Sequence, residues 1–251
     1  MQSTEYGSVN TEVPEERWEE AQKWEREHWL RQQKNLAKLG KNYAWKIMTL
    51  LRFVEKYRGD DDNQWWSQWF DDYRFLPKTV DNMIEVGCGP YTNARLVRKA
   101  CEPRHLFLSD PLIRTYVNFK MTMVQESHKD LSAYLDDHPL ENLPFRDGFF
   151  DVAIMINVLD HVRDANACME TLLRILKPGG YVLIGQDLTS EEDIAAQPEG
   201  VRTGHPVTLD ENWFEQHFRA YDPVIQRTLS RDQGRTPHWH CATMIFAGKK
   251  L

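Results

Sequence analysis

The chain has 251 residues, of which 41% are hydrophobic, and this is long enough for one globular domain with a helical addition. It carries 31 Lys and Arg against 38 Asp and Glu, a net charge of −7, without a basic cluster, which argues against a nucleic-acid partner. No apolar run reaches the roughly eighteen residues of a membrane span, and we expect no signal peptide. The four cysteines lie far apart without a CxxC pair, so we expect reduced thiols in a cytoplasmic protein.

The N-terminal part of the chain, residues 1–79, is predicted to form a helical cap. It holds seven of the nine tryptophans, and Pro14 and Gly40 fit the start and the end of a charged helix. The predicted segments are, in order, a disordered stretch over 1–13, helices over 15–39 and 42–58, a turn at 59–62 and a tryptophan-rich stretch over 64–73. The tryptophans at 65–69 either cover a substrate pocket or form the core of the cap.

From residue 80 onward, short apolar runs alternate with segments of helical periodicity. The predicted strands cover 83–86, 105–109, 150–157, 181–185, 224–230 and 242–247. The predicted helices cover 92–100, 113–135, 165–176 and 210–218. The run at 150–157 is almost continuously apolar, as in a strand that is buried on both faces. This order predicts an α/β fold, a Rossmann-like, doubly wound, mostly parallel seven-stranded sheet with an antiparallel C-terminal hairpin.

The most informative stretch is Glu85-Val86-Gly87-Cys88-Gly89, where an apolar run ends in an acid and two glycines follow at alternate positions. A parallel strand passes in this way into a tight loop whose bare backbone can approach a nucleotide. About twenty residues later a second run ends in Asp110, where a carboxylate can accept both ribose hydroxyls. The alternative is that Asp110 only caps the turn before Pro111. Together the two features predict a site for a nucleotide-type cofactor.

Four motifs resemble those of class I S-adenosylmethionine (SAM) methyltransferases and occur in the same order. They are Glu85-Val86-Gly87-Cys88-Gly89-Pro90, Leu143-Pro144-Phe145 with Phe149-Phe150-Asp151, Leu159-Asp160-His161-Val162, and Leu176-Lys177-Pro178-Gly179-Gly180. The chain is most similar to the branch that methylates small molecules such as quinones, sterols and sugars. The resemblance implies a SAM-binding domain over 80–251, with S-adenosylhomocysteine (SAH) as the product. Tyr91 and Thr92 break a GxGxxG pattern, which argues against a dehydrogenase.

The resemblance also implies which residues contact the cofactor. In chain order they are Glu85 at the SAM amino group, Gly87, Cys88 and Gly89 in the loop, Tyr91 beside the methionine part, Asp110 at the ribose, Glu141, Asn142 and Leu143 at the adenine edge, and Asn157 and Val158 near the sulfonium.

His161 is the predicted general base, because it follows the strand at 150–157, where the methyl acceptor is expected to lie. Histidine has a pKa suited to taking the proton of a hydroxyl, and Asp160 can orient it. The alternative is that both residues only cap or pack the turn into the next helix. Catechol-type methyltransferases place magnesium ligands in this region, which makes Asp160 and Asp187 candidate ligands. Gln186-Asp187 replaces the expected Asp-Asn, however, and we predict no metal site.

We therefore predict a SAM-dependent methyltransferase with a small-molecule acceptor, acting by O-methylation of a hydroxyl on a sugar or secondary metabolite. N-methylation of an amine, such as an amino sugar, is the alternative within the class. A SAM-binding partner subunit or sensor without catalysis is the alternative outside it. The helix over 15–39 either closes over the site or mediates formation of a homodimer. The acceptor itself is not identified, because neither the cap nor the loop over 187–210 carries a recognisable motif.

Overall fold

The computed structural model describes residues 9–39, 60–119 and 133–251. The helix predicted over 42–58 lies outside the described residues. The helices are α1 (Glu15–Leu39), α2 (Asp60–Trp69), α3 (Ala94–Val97), α4 (Ile113–Tyr116), α5 (Ala165–Ile175), α6 (Glu191–Ala196), α7 (Glu199–Gly204) and α8 (Glu211–Phe218). Within these residues no helix is long and apolar enough to cross a membrane.

Seven strands form one sheet, which confirms the predicted fold class. They are β1 (Thr79–Val86), β2 (Glu102–Ser109), β3 (Tyr134–Asp136), β4 (Phe150–Ile156), β5 (Leu176–Leu188), β6 (Tyr221–Ser230) and β7 (Ala242–Lys250). The strand order is β3-β2-β1-β4-β5-β7-β6. β7 runs antiparallel to both β5 and β6, and the other pairs are parallel. The order reverses between β1 and β4, and such a reversal leaves a crevice at the carboxyl ends of the strands.

The structure corrects three predicted segments. Tyr134 and Leu135 lie in β3 rather than at the end of a helix over 113–135, because β2 pairs with them and Tyr134 stacks on Phe107. Residues 60–62 begin α2 instead of forming a turn. The polar loop expected after β5 contains α6 and α7, each one to two turns long.

Two apolar layers cover the faces of the sheet. One layer is centred on Phe150, Leu172 and Phe214, and the other contains Trp66 and Phe70 of the N-terminal part. Trp66 lies directly on the sheet, since a Cβ added at Gly185 would be 2.6 Å from its ring. The tryptophans at 65–69 therefore contribute to the core, and the division of the chain at residue 79 stays a prediction.

Backbone bridges and hydrogen bonds join α1 and the residues before it to residue 164 and to the segment 202–208. Asn10 forms an antiparallel bridge with Thr208, and Glu12 forms one with Asp164. The prediction of disorder over 1–13 is therefore wrong for these two residues. The guanidinium of Arg17 donates hydrogen bonds to the backbone carbonyls of residues 202 and 203, at 2.9 and 2.8 Å.

Candidate active site

A cavity of about 980 Å³ lies at the carboxyl ends of β1, β2 and β4, where the strand order reverses. Helix α1 forms its roof. The remaining wall comes from α2, the loops after the three strands, and segments 138–141, 189–208 and 235–240. The position agrees with the rule that open α/β sheets bind ligands at this crevice.

The loop after β1 passes along the cavity in a conformation that favours glycine. Gly87 and Gly89 have φ angles of +59° and +54°. A Cβ at Gly87 would lie 2.5 Å from both methyl groups of Val158, whereas a Cβ at Gly89 would meet no atom within 4 Å. Gly87 thus allows the loops after β1 and β4 to approach each other, and Gly89 leaves its face open to the cavity. Cys88 and Tyr91 also line the cavity.

Asp110 lies at the end of β2 and faces the same loop. One carboxylate oxygen accepts a hydrogen bond from the Gly89 amide at 3.0 Å, and the other accepts one from the Leu112 amide at 2.8 Å. Burial raises the pKa of Asp110 to about 6, despite these two bonds. The structure therefore brings Asp110 and the glycine loop together as the sequence predicted, with a turn-capping bond to Leu112 in addition.

Glu85 is fully buried and does not line the cavity. Its carboxylate accepts hydrogen bonds from the backbone amides of Asn93 and Ala94, from the Asn93 side chain and from the Thr92 hydroxyl. Burial raises its pKa, and these bonds oppose the shift. Glu85 therefore fixes the start of α3, and its predicted contact with the SAM amino group stays a prediction.

The segment predicted to read adenine is only partly on the cavity wall. Glu141 lines the cavity, and its carboxylate accepts hydrogen bonds from the backbone amides of Arg163 and Asp164. Asn142 is exposed and Leu143 is buried in the core. The wall is formed instead by the preceding residues, which the sequence analysis missed: His138, Pro139 and Leu140.

The loop after β4 is fixed by side-chain amides. Asn157 has a φ of +55°, and its side-chain oxygen accepts a hydrogen bond from the Asp187 amide. The side-chain oxygen of Gln186 accepts bonds from the amides of Val158 and Leu159. Asn157 and Val158 both line the cavity, and their predicted approach to the sulfonium stays a prediction.

Asp187 is not available as the partner of Asp160 in a magnesium site. It is buried, and its two oxygens are bound by the Thr243 hydroxyl at 2.7 Å and the Arg235 guanidinium at 3.3 Å.

Two histidines meet at Asp160 on the cavity wall. The imidazole Nδ1 of His161 lies 2.8 Å from the carbonyl oxygen of Gly204, and Nδ1 of His205 lies 2.7 Å from that of Val201. A carbonyl only accepts hydrogen bonds, so both Nδ1 atoms carry the proton and both Nε2 atoms keep a lone pair when the rings are neutral. These Nε2 atoms lie 3.8 and 3.7 Å from the two carboxylate oxygens of Asp160.

The charges in this group are coupled. Burial lowers the pKa of His161, but Asp160, Glu25 and the bond to the Gly204 carbonyl outweigh burial and raise it overall. The pKa of His205 is lowered, first by burial and then by His161. Burial raises the pKa of Asp160, but His161 and His205, together with the Gln186 side chain and His240, outweigh burial and lower the value overall. The group therefore holds its negative charge on the carboxylate.

The roof supplies aromatic residues that the sequence analysis did not assign to the site. Trp24 and Trp29 of α1 line the cavity; Trp24 lies 6.1 Å from the ring of His205, and Trp29 packs edge-on against Tyr91. The carboxylate of Glu25 accepts a hydrogen bond from the Trp29 indole. A signal was present, because Trp24 and His28 are four residues apart and therefore share a helix face.

Comparison with known proteins indicates which domain family this chain resembles. Residues 84–184 match the family described as a methyltransferase domain. These residues therefore form a methyltransferase domain. Its fold resembles that of the N-methyltransferase NodS from Bradyrhizobium japonicum in complex with SAH, with a TM-score of 0.55 and 16% identity over 74% of this chain and 85% of that one. A methyltransferase structure from Bacillus halodurans has a TM-score of 0.54 and 10% identity over 74% and 98%.

The curated relatives share only a segment with this chain. An Arabidopsis thaliana tRNA (carboxymethyluridine(34)-5-O)-methyltransferase is 46% identical over 55 residues, which is 21% of this chain and 14% of that protein. Norajmaline N-methyltransferase of Rauvolfia serpentina is 26% identical over 117 residues, or 46% and 38%. An uncharacterized methyltransferase of Schizosaccharomyces pombe is 31% identical over 113 residues, or 42% and 39%. The chain therefore spans less than half the length of each relative.

The residues on the cavity wall fit SAM, the cofactor that the sequence motifs imply. The cavity offers a glycine backbone without side chains next to the carboxylate of Asp110, which lines the wall and whose oxygens keep lone pairs beyond the bonds to Gly89 and Leu112, as a ribose requires. The expected homodimer stays a prediction.

Proposed function

We propose that this protein transfers the methyl group of SAM to a hydroxyl of a small molecule held beneath α1. The observation that carries the proposal is that one cavity joins the cofactor loop and Asp110 to the histidine pair at Asp160. A methyl donor bound along the loop would thus share its space with a group that can take up the acceptor's proton.

The chain's own residues give this reaction its geometry. When bound, SAM would supply a methyl group attached to a positively charged sulfur. The acceptor oxygen would form the new bond to the methyl carbon, and the electrons of the broken carbon–sulfur bond would stay on the sulfur, which gives SAH. Asn157 and Val158, fixed by Gln186, form the wall between the cofactor loop and the histidines. Nε2 of His161 is the atom that accepts the hydroxyl proton, since Nδ1 is held by the Gly204 carbonyl.

The roof and the charge favour a small acceptor. Trp24, Trp29 and Glu25 of α1 extend over the cavity, and aromatic faces stack well on sugars and rings. The net charge of −7 does not favour the phosphate backbone of a tRNA, although one relative over 55 residues is a tRNA methyltransferase.

N-methylation is the second candidate, because NodS and norajmaline N-methyltransferase carry that activity in their names. An amine acceptor that is already neutral needs less help from a base. The test is therefore the His161→Ala variant, assayed with a panel of hydroxyl and amine acceptors and with SAM.

We expect a fall in kcat of a hundredfold or more with hydroxyl acceptors, as for a lost general base, and an unchanged affinity for SAH. His105→Ala is the matched control, because this histidine lies on β2 outside the cavity. A His161→Ala variant that binds SAH and keeps its rate would contradict O-methylation and favour the amine. Failure of the wild-type chain to bind SAH would overturn enzymatic methyl transfer and favour a different use of the fold.

A further inference from the structure

The histidine pair is arranged in a way that general base catalysis alone does not require. Asp160, His161 and His205 each offer one ligand atom, and these atoms lie within 4.8 Å of one another. Both imidazoles are oriented by a hydrogen bond from Nδ1 to a backbone carbonyl, of Gly204 and of Val201. Histidines that bind metal ions in proteins are oriented by the same kind of bond.

When both imidazoles are neutral, the three ligand atoms face one another without a donor between them. Nε2 of His161 lies 3.8 Å from one carboxylate oxygen of Asp160, and Nε2 of His205 lies 3.7 Å from the other. Oδ1 of Asp160 is buried and accepts no hydrogen bond of normal geometry from the residues that the structure describes, although the Gln186 side chain helps to hold the pKa of this carboxylate down. An unpaired buried acceptor costs free energy, and a cation placed between the three atoms removes that cost.

We propose that Asp160, His161 and His205 bind one divalent transition-metal ion on the wall of the cavity. Bonds of about 2.0–2.2 Å to nitrogen and oxygen place neighbouring ligand atoms about 3–3.5 Å apart, so ligand atoms that lie within 4.8 Å of one another have to approach by up to about 1–2 Å when the ion binds. Imidazole suits zinc, iron, nickel and copper, whereas magnesium takes oxygen ligands. The proposed ion is therefore a transition metal such as zinc rather than magnesium. This differs from the prediction of no metal site.

Three protein ligands leave coordination positions open toward the cavity, the arrangement found in catalytic rather than structural sites. For the ion's role, though not for its binding, the inference rests on the proposed function. A hydroxyl oxygen bound to the ion loses its proton to water more easily, because the ion stabilises the alkoxide. When the ion is bound, Nε2 of His161 is one of its ligands. The ion then promotes loss of the hydroxyl proton in place of the imidazole.

Direct binding tests the inference without an acceptor. The full chain, treated with a chelator and dialysed, is titrated with Co²⁺ and followed by visible absorption, with Zn²⁺ as a competitor. We expect one equivalent of Co²⁺, displaced by Zn²⁺ but not by a large excess of Mg²⁺. His205→Ala should weaken binding more than a hundredfold, and Asp160→Asn, which keeps the side-chain shape, should weaken it as well.

His240→Ala is the matched control for metal binding. His240 also lies on the cavity wall with Nε2 3.7 Å from a carboxylate, but that carboxylate, Asp187, is already paired. This variant should bind Co²⁺ as the wild type does. Circular dichroism and SAH affinity show whether each variant is folded.

Two results would overturn the inference. One is a folded wild-type chain that binds SAH but neither Co²⁺ nor Zn²⁺, which leaves methyl transfer intact. The other is stoichiometric Co²⁺ binding that survives in His205→Ala. Loss of SAH binding with metal binding retained would instead count against the proposed function.

Discussion

Replacing Gly87 by alanine tests the close approach of the loops after β1 and β4. Two costs add at this position. A φ of +59° costs an L-residue roughly 1–2 kcal/mol. The new methyl would also lie 2.5 Å from both Cγ atoms of Val158, whose backbone amide is held by Gln186, and overpacking of this kind costs about 1–3 kcal/mol. We expect Gly87→Ala to lower the free energy of unfolding by about 2–5 kcal/mol.

Two glycines serve as matched controls for backbone conformation. Gly89 and Gly179 have φ angles of +54° and +72°, and a Cβ at either would meet no atom within 4 Å. Alanine at these positions should cost only the conformational part, about 1–2 kcal/mol. Gly89→Ala should also weaken SAH binding, because its methyl group would enter the cavity, whereas Gly179→Ala should not.

Urea unfolding followed by circular dichroism gives the stabilities, and isothermal titration with SAH gives the affinities. The double variant Gly87→Ala/Val158→Ala isolates the steric part. We expect a coupling of about 1–3 kcal/mol in which the second substitution partly rescues the first. If Gly87→Ala and Gly89→Ala lose the same stability and the coupling is zero, the packing argument is refuted.

Three further changes test other parts of the site. Burial raises the pKa of Asp110 from 3.8 to about 6, so protonation of this carboxylate favours the folded state. The free energy of unfolding of the unliganded protein should therefore fall by about 3 kcal/mol as the pH rises from about 4 to about 6. Urea unfolding of Asp110→Asn over the same pH range should lack this decline. Glu85→Gln places a side-chain NH2 group next to the backbone N–H donors of Asn93 and Ala94, and should lower the free energy of unfolding in urea by about 1–3 kcal/mol. An unchanged stability would show that the hydrogen bonds of Glu85 do not hold the start of α3. Asp164→Ala removes the N-cap of α5 and should cost about 1 kcal/mol without changing SAH affinity, and a weakened affinity would show that the cap also shapes the cavity.

The cofactor half of the site could be predicted because its signals are local. An apolar run followed by Gly87-Cys88-Gly89 specifies a strand and a tight loop within a few residues. The position of Asp110 follows from the end of the next strand. Parallel pairing of β1 with β2 then brings the two together without further information.

The acceptor half could be predicted only in part: Asp160 and His161 follow β4 and line the cavity, but their further contacts join distant segments. His205 reaches Asp160 from the end of α7, and the carbonyl that orients His161 belongs to Gly204. No sequence pattern near residue 161 predicts either contact. Strand β3 was missed for a different reason, since three residues are too few to show a period, and pairing with β2 decides their conformation.

The bridges that hold residues 10 and 12 have a mechanical consequence. One ends at Thr208, three residues beyond His205, and the other at Asp164, three residues beyond His161. A motion that lifts α1 for a ligand to enter must pull on both segments at once. The bridges therefore couple the position of α1 to the two segments that carry the histidines at Asp160.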